Sequence, residues 1–275
     1  VATTENFAVP PTGAVVLKGT ETMLMGVVTM IWATSLTVFP APQPSGSVLL
    51  FFHGGGWTNG YKEWMAFMAP AFGALGITFV SAGYRLAPAH LFPAGLDDCA
   101  DAVAWVRRHI AGFGGDPRRL FIGGHSAGGH LAALLAVTAP WRAARGLPAQ
   151  PLAGCLPVSG VYQFGAESGM AQRPRFLGPL DDGHAEHAAS PLAQLDAAAC
   201  PPFLVSHGSR DFPHLVRQAQ DFMYARRAGG VPVQHSVLDG CDLFEASIAC
   251  GAADGPWPAR AVAWMHEQSP PGEVL

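Results

Sequence analysis

The sequence predicts an α/β fold with a mostly parallel central sheet and helices on both faces. Three observations predict it. Short apolar runs bounded by turn residues recur along the chain at Ser47–Phe52, Ile77–Ser81, Arg119–Ile122, Gly154–Ser159, Pro202–Ser206 and Val231–Leu238, as strands buried on both faces require. Between them lie helical stretches at Trp64–Leu75, Leu96–His109, Ala127–Thr138, Leu215–Ala228 and Trp257–Gln268. Strand and helix therefore alternate, and at 275 residues with 49% hydrophobic side chains the chain fits one large domain, residues 1–275.

The elements read in order as follows. Residues 1–46 form an irregular front end with one or two edge strands, in the region Met23–Phe39, closed by Pro40, Pro42 and Pro44. In the helix at Leu96–His109, Val103, Val106 and Ile110 share a face, and the helix at Leu215–Ala228 carries Phe222 at its centre. The last strand is rich in β-branched residues at Val231, Val233 and Val237. Residues 162–192 have no clean period and contain Gly165, Gly169, Pro174, Gly178, Pro179 and Gly183. A loop of this length inside a compact domain reads as a lid, the alternative being a plain surface insertion.

Composition excludes several functions. The formal charge is -4 and no basic run exceeds two residues, which argues against nucleic acid or an anionic membrane as partner. No apolar run reaches the eighteen residues of a membrane span, and residues 1–15 lack the pattern of a retained signal peptide. Of the 5 cysteines, Cys155 and Cys200 read as buried free thiols, and Cys241 and Cys250 are a possible pair. A reducing, cytoplasmic setting is expected. No histidine falls at ligand spacing with cysteines or carboxylates, and the glycines at 123–129 surround a serine rather than forming a dinucleotide fingerprint, so neither metal nor cofactor is expected. The expected assembly is a monomer or homodimer.

The chemistry concentrates at Gly124-His125-Ser126-Ala127-Gly128, between an apolar strand and a helix. A nucleophilic serine on a strained strand-to-helix turn needs small flanking residues, and the helix start aims free amides at developing negative charge. A second glycine run, His53-Gly54-Gly55-Gly56-Trp57, follows the Ser47–Phe52 strand, and its amides with that of Ala127 would form an oxyanion hole. His53, His125 and His130 read as structural. A late carboxylate, Asp211, follows the strand ending at Ser206 and suits the acid of a serine, acid, histidine order; Asp239 and Asp242 compete with it.

Taken together, HGGGW at 53–57, YRLAPAHLFPAGLDD at 84–98, FGGDPRRLFIGGHSAGG at 113–129, SP at 190–191, PPFLVSHGSRD at 201–211 and DGCDLFEA at 239–246 resemble the α/β-hydrolases of the hormone-sensitive-lipase and arylformamidase (kynurenine formamidase) group. The resemblance covers about residues 45–268. It implies a three-layer α/β-hydrolase fold and action on small carboxylic esters or N-formyl amides. By the same resemblance the nucleophile falls on Ser126, the acid on Asp211, and the oxyanion donors on Gly55, Gly56 and Ala127. Against that resemblance, the N-terminal helical cap of the lipase branch is expected to be absent or much reduced, which leans toward the arylformamidase-like branch.

One position departs from the family. Where the resemblance places the catalytic histidine, the chain reads Gly240-Cys241-Asp242-Leu243-Phe244, and leucine accepts no proton. Three explanations follow. A surrogate histidine supplies the base, His214 being the best placed, ahead of His207, His235 and His266. Alternatively the pocket serves a non-hydrolytic reaction such as a cyclase, lyase or acyl transferase step. Or it only binds, as a receptor or scaffold; the plant gibberellin receptors are similar to the lipase branch and likewise lack the histidine. Trp57, Phe164 and Phe176, with Tyr61 and Trp64, are placed to wall the pocket, which favours a small hydrophobic or aromatic carbonyl compound as ligand. The competing reading is that these rings pack the lid against the sheet.

Overall fold

The protein is described by a computed structural model that covers residues 14–16, 27–31, 34–180, 183–194 and 200–269. Among the described residues nine strands form one sheet: β1 (Ala14–Val16), β2 (Val27–Ile31), β3 (Thr34–Phe39), β4 (Gly46–Phe52), β5 (Thr78–Ala82), β6 (Gly115–His125), β7 (Gly154–Val158), β8 (Phe203–Gly208) and β9 (Val233–Leu238). Their order is β1-β2-β3-β5-β4-β6-β7-β8-β9. The first three strands pair antiparallel, as does β3 with β5, and every pairing from β5 to β9 is parallel. Eight α-helices accompany them among the described residues: α1 (Ala69–Ala74), α2 (Ala94–His109), α3 (Ala127–Val137), α4 (Pro140–Ala143), α5 (His184–Ala189), α6 (Pro213–Ala228), α7 (Leu243–Ala249) and α8 (Pro256–Gln268).

Strand alternation divides the core into two layers. Val48, Leu50 and Phe52 of β4 pack with residues of α2, α3 and α6, whereas Leu49 and Phe51 face the opposite layer with α1, α7 and α8. This is a three-layer sandwich whose sheet is buried on both faces, as the unbroken burial of β5, β7 and β8 requires. Strand order reverses where β4 lies between β5 and β6, so the crevice at the carboxyl ends opens beside the loops after β4 and β6. Those loops begin at His53 and Ser126.

Several elements differ from the expectation. The stretch from Met23 resolves into β2 and β3, with residues 17–26 and 32–33 outside the described residues. The helix expected over Trp64–Leu75 is a 3-10 helix, Lys62–Met68, continued by the short α1, with Pro70 in the first turn of α1. Strand β6 is longer than Arg119–Ile122, because it pairs with β4 from Gly115 and with β7 as far as His125. The stretch around Leu243, to which no element was assigned, contains α7, started by Asp242, whose carboxylate accepts from the amides of Phe244 and Glu245 while Glu245 closes a capping box. Cys241 and Cys250 do not pair: each is a free thiol.

Candidate active site

Ser126 sits between β6 and α3 with φ 53° and ψ -114°, outside the regions open to a residue with a Cβ. Such a backbone costs about 1–3 kcal/mol and persists only when its surroundings fix it. Here the Ser126 amide donates to Val158 O at 2.9 Å and its carbonyl accepts from His130 N at 2.9 Å. The following helix lies against the loop after β4 so tightly that a Cβ on Gly128 would stand 2.2 Å from Phe52 O. From the other side, a Cβ on Gly54 would lie 3.4 Å from Ser126 Cβ, so the glycine loop touches the serine directly.

Among the described residues, the amides of Gly55, Gly56 and Ala127 donate to no backbone carbonyl. Gly55 and Gly56 hold φ 118° and 60°, and the Gly55 carbonyl accepts from Thr58 N and Asn59 N, which curls the loop back on itself. His53 anchors the base of this loop. Its buried ring stacks on Tyr84 at 4.3 Å, its Nδ1 donates to Gly54 O at 2.7 Å, and burial lowers its pKa.

Asp211 is buried on the turn after β8. Its Oδ2 accepts from Ser159 Oγ at 2.6 Å and from Gly208 N at 3.1 Å, while its buried Oδ1 has no hydrogen-bond partner. Ser159 is a site residue that sequence reasoning missed. It follows β7 with φ 50°, and Val-Ser-Gly at a strand end was the available signal.

Leu243 opens α7. Its carbonyl accepts from His125 Nε2 at 2.8 Å, which ties this position to the residue preceding Ser126. Its side chain packs against the core layer of α3, whereas Ala246 and Cys250 of the same helix pack in the opposite layer. Leu243 therefore reaches over the sheet edge toward the serine side. His125 is buried, which lowers its pKa, although the Leu243 carbonyl and the Asp211 charge act the other way. Its Nε2 is committed to Leu243 O.

No histidine ring is hydrogen-bonded to Ser126 among the described residues. His214 lies in the first turn of α6, stacked on Phe212 at 5.8 Å and bonded to neither Asp211 nor Ser126. Burial and Arg217 lower its pKa, against the pull of Asp211. His207 Nδ1 donates to Gly208 O at 2.9 Å, and its Nε2 pairs with Nε2 of His235 on the neighbouring β9 at 3.0 Å.

Trp57, Phe164 and Phe176 come together, but as packing. Trp57 stacks on Phe176 at 4.3 Å, Phe164 meets both rings edge-on, and all three are buried. His130 of α3 completes the cluster. Its Nδ1 accepts from Trp57 Nε1 at 2.9 Å and its Nε2 donates to Ala189 O at 2.7 Å. Residues 162–192 are thereby fastened to the sheet, and their neck is closed by Leu192 N donating to Tyr162 O at 2.9 Å. Buried Gln218 accepts from the amides of Tyr162 and Gln163 and donates to Ser168 O. Tyr61 and Trp64 are instead exposed.

The His130 arrangement makes the fold acid-sensitive. A proton added at Nδ1 would meet the Trp57 N–H, and burial lowers His130 from 6.5 to about 4. The folded value lies below the unfolded one, so the unfolded chain binds more protons between them. This contribution is intact above pH ~6.5 and lost as pH falls toward ~4, by about 2–3 kcal/mol. His53 and His125 act in the same direction. Denaturant titrations at pH 7 and pH 4.5 should show this loss, and His130→Gln, which keeps one acceptor and one donor, should reduce it. An equal loss in both proteins would contradict the assignment.

Comparison with known proteins agrees with this geometry. Residues 49–242 match a family model described as alpha/beta hydrolase fold. The chain belongs to the alpha/beta hydrolase fold family. Esterase LipC of Mycobacterium tuberculosis is 36% identical over 246 residues, covering 82% of this chain and 59% of LipC. Esterase LipQ of the same organism is 34% identical over 214 residues, covering 72% of this chain and 50% of LipQ. The chain thus spans half to three-fifths of the length of these curated relatives. Among solved structures, a truncated carbohydrate esterase from gut microbiota superposes with a TM-score of 0.73 at 18% identity, covering 85% of this chain and 90% of that one, which shows the shared fold. DphMB1 gives a TM-score of 0.71 at 25% identity, covering 88% and 84%. Among the described residues no helix is long and apolar enough to cross a membrane, and no three potential metal ligands cluster.

Proposed function

We propose that this alpha/beta hydrolase acts as a serine-type carboxylic ester hydrolase on small hydrophobic or aromatic carbonyl compounds, esters or N-formyl amides, with hydrolysis impaired by Leu243. The observation that carries the reading is the buried Oδ1 of Asp211, which lacks a partner while a leucine opens α7 on the serine side of the core. An acid of this kind orients an imidazole N–H; here it has none to orient.

Each residue has a part in the reading. Ser126 Oγ attacks the substrate carbonyl, and the amides of Gly55, Gly56 and Ala127 receive the oxyanion as it forms. Asp211 and Ser159 keep the acid loop in place. The serine proton has no side-chain base to accept it, so water must, and the attack step is slow. Residues 162–192 act as a lid fixed at its neck. The relatives named as esterases support an ester substrate. The same free amides also suit stabilisation of an enolate, so a non-hydrolytic reaction is the second reading, and binding without turnover the third.

Turnover of p-nitrophenyl acetate by the native chain and by Ser126→Ala tests this. The native chain should stay at least ~10³-fold below the common enzyme turnover of about 10 s⁻¹, and Ser126→Ala should fall further, to the rate without protein. Native turnover near 10 s⁻¹ would remove the impairment, and equal rates for both proteins would remove Ser126 as nucleophile.

A further inference from the structure

At the β9 edge of the sheet two imidazoles from neighbouring strands meet. His207 of β8 and His235 of β9 lie on the α6 face, in step with Val205 and Val233, which pack in that layer. Their Nε2 atoms are 3.0 Å apart, the ring centroids 4.9 Å apart and the planes inclined at 41°. Two rings joined end to end through such a contact would have their centroids farther apart, so the two nitrogen lone-pair directions do not lie on one line.

The tautomers are set by what surrounds each ring. His207 is 4% exposed, and its Nδ1 donates to Gly208 O at 2.9 Å, which leaves Nε2 as its lone-pair nitrogen. His235 is exposed on the edge strand. Partial burial, then His207 and Arg227, hold its pKa below the ordinary value, so its ring is neutral at pH 7. His130 differs, because the Trp57 indole N–H occupies one of its nitrogens and the other donates to Ala189 O. Between His207 and His235 only a movable proton stands, and its second site, His235 Nδ1, belongs to an exposed ring.

We propose that His207 and His235 form a binding site for a divalent transition-metal ion, copper(II) fitting it best. The proton between the nitrogens belongs to His235 Nε2. Once it moves through water to His235 Nδ1, both Nε2 lone pairs are free to bind the ion and no net proton is released. Gly208 O stands behind His207 as carbonyl acceptors stand behind metal-bound imidazoles, fixing tautomer and orientation. Two adjacent nitrogens at about 2.0 Å from a square-planar copper are about 2.8 Å apart, and two at about 2.0–2.1 Å from a tetrahedral zinc about 3.3 Å. The observed 3.0 Å lies between these. Among the described residues no third histidine, cysteine or carboxylate joins the pair, so water completes the shell on the exposed side and the ion binds reversibly. Copper(II) heads the divalent series for nitrogen ligands and accepts a shell of imidazole and water. Arg227, whose guanidinium donates to Val233 O at 3.2 Å, is a cation near enough to act on His235 and weakens the site.

The test is a titration of the full folded chain with copper(II) chloride, followed by calorimetry and by electron paramagnetic resonance. The tightest-bound ion should show nitrogen hyperfine structure from two imidazoles. His235→Ala should weaken its binding at least ~10-fold, since even the outer-shell partners of metal ligands are worth about 10–100-fold. Should His235→Ala disturb the edge strand, His235→Gln gives the same readout. Arg227→Gln should tighten binding. His184 and His187, both exposed and one turn apart on α5, are the competing pair. His184→Ala combined with His187→Ala should leave the two-imidazole signal in place. An affinity unchanged in His235→Ala and His235→Gln, a signal from a single imidazole, or a signal lost in the α5 double variant instead would overturn the proposal.

Discussion

Trp57→Ala is expected to destabilise the fold by roughly 3–5 kcal/mol, measured as the change in free energy of unfolding in urea. The ring is 6% exposed, stacks on Phe176 and meets Phe164 and His130 edge-on. Its removal opens a void between the glycine loop, α3 and the 162–192 segment, and leaves His130 to join α3 to that segment through Ala189, Phe164 and Phe176. It also deprives His130 Nδ1 of its donor in a buried setting. Trp57→Phe separates the two losses, because it keeps most of the apolar ring but cannot donate; it should cost about 1–3 kcal/mol, the scale of one buried unsatisfied acceptor. A cost below ~1 kcal/mol for Trp57→Ala would mean that the cluster does not hold the segment to the sheet.

The sheet was legible because its physics is local. Ser47–Phe52 has no polar face, which only a strand covered on both sides tolerates, and β4 is buried in that way. The elbow was legible for the same reason: only glycine fits where Gly128 meets Phe52 O. What escaped depends on contacts distant in sequence. Trp57, Phe164 and Phe176 read as pocket wall, since aromatic residues beside a glycine loop suit either role; the choice is made by His130, 73 positions from Trp57, whose ring can satisfy the indole N–H only from inside the core. Ser159 escaped because Val-Ser-Gly at a strand end marks only a turn, and its partner, Asp211, is 52 positions away. The helix opening at Leu243 was hidden by the resemblance itself, which directed attention to a missing histidine rather than to the Asp242 and Glu245 capping box.

The central claim is that this site keeps its serine, acid and oxyanion donors and lacks only its base. Leu243→His restores one. The position opens α7 after a capped turn, so the substitution leaves the Asp242 and Glu245 bonds in place. The carbonyl bond from His125 is a backbone bond and survives as well. The expected gain requires an imidazole there to donate to the unpartnered Oδ1 of Asp211 and present its other nitrogen to Ser126. A positioned general base contributes about 10²–10⁴ in rate. Leu243→Gln, polar but not basic, serves as control. The decisive measurement is kcat/KM for p-nitrophenyl acetate in Leu243→His and in Leu243→His with Ser126→Ala, relative to the native chain. The account predicts a gain of at least ~10² that rises with pH through the histidine range, is absent in Leu243→Gln, and disappears in the double variant. A correctly folded Leu243→His protein that gains less than ~3-fold, or whose gain persists without Ser126, would contradict it.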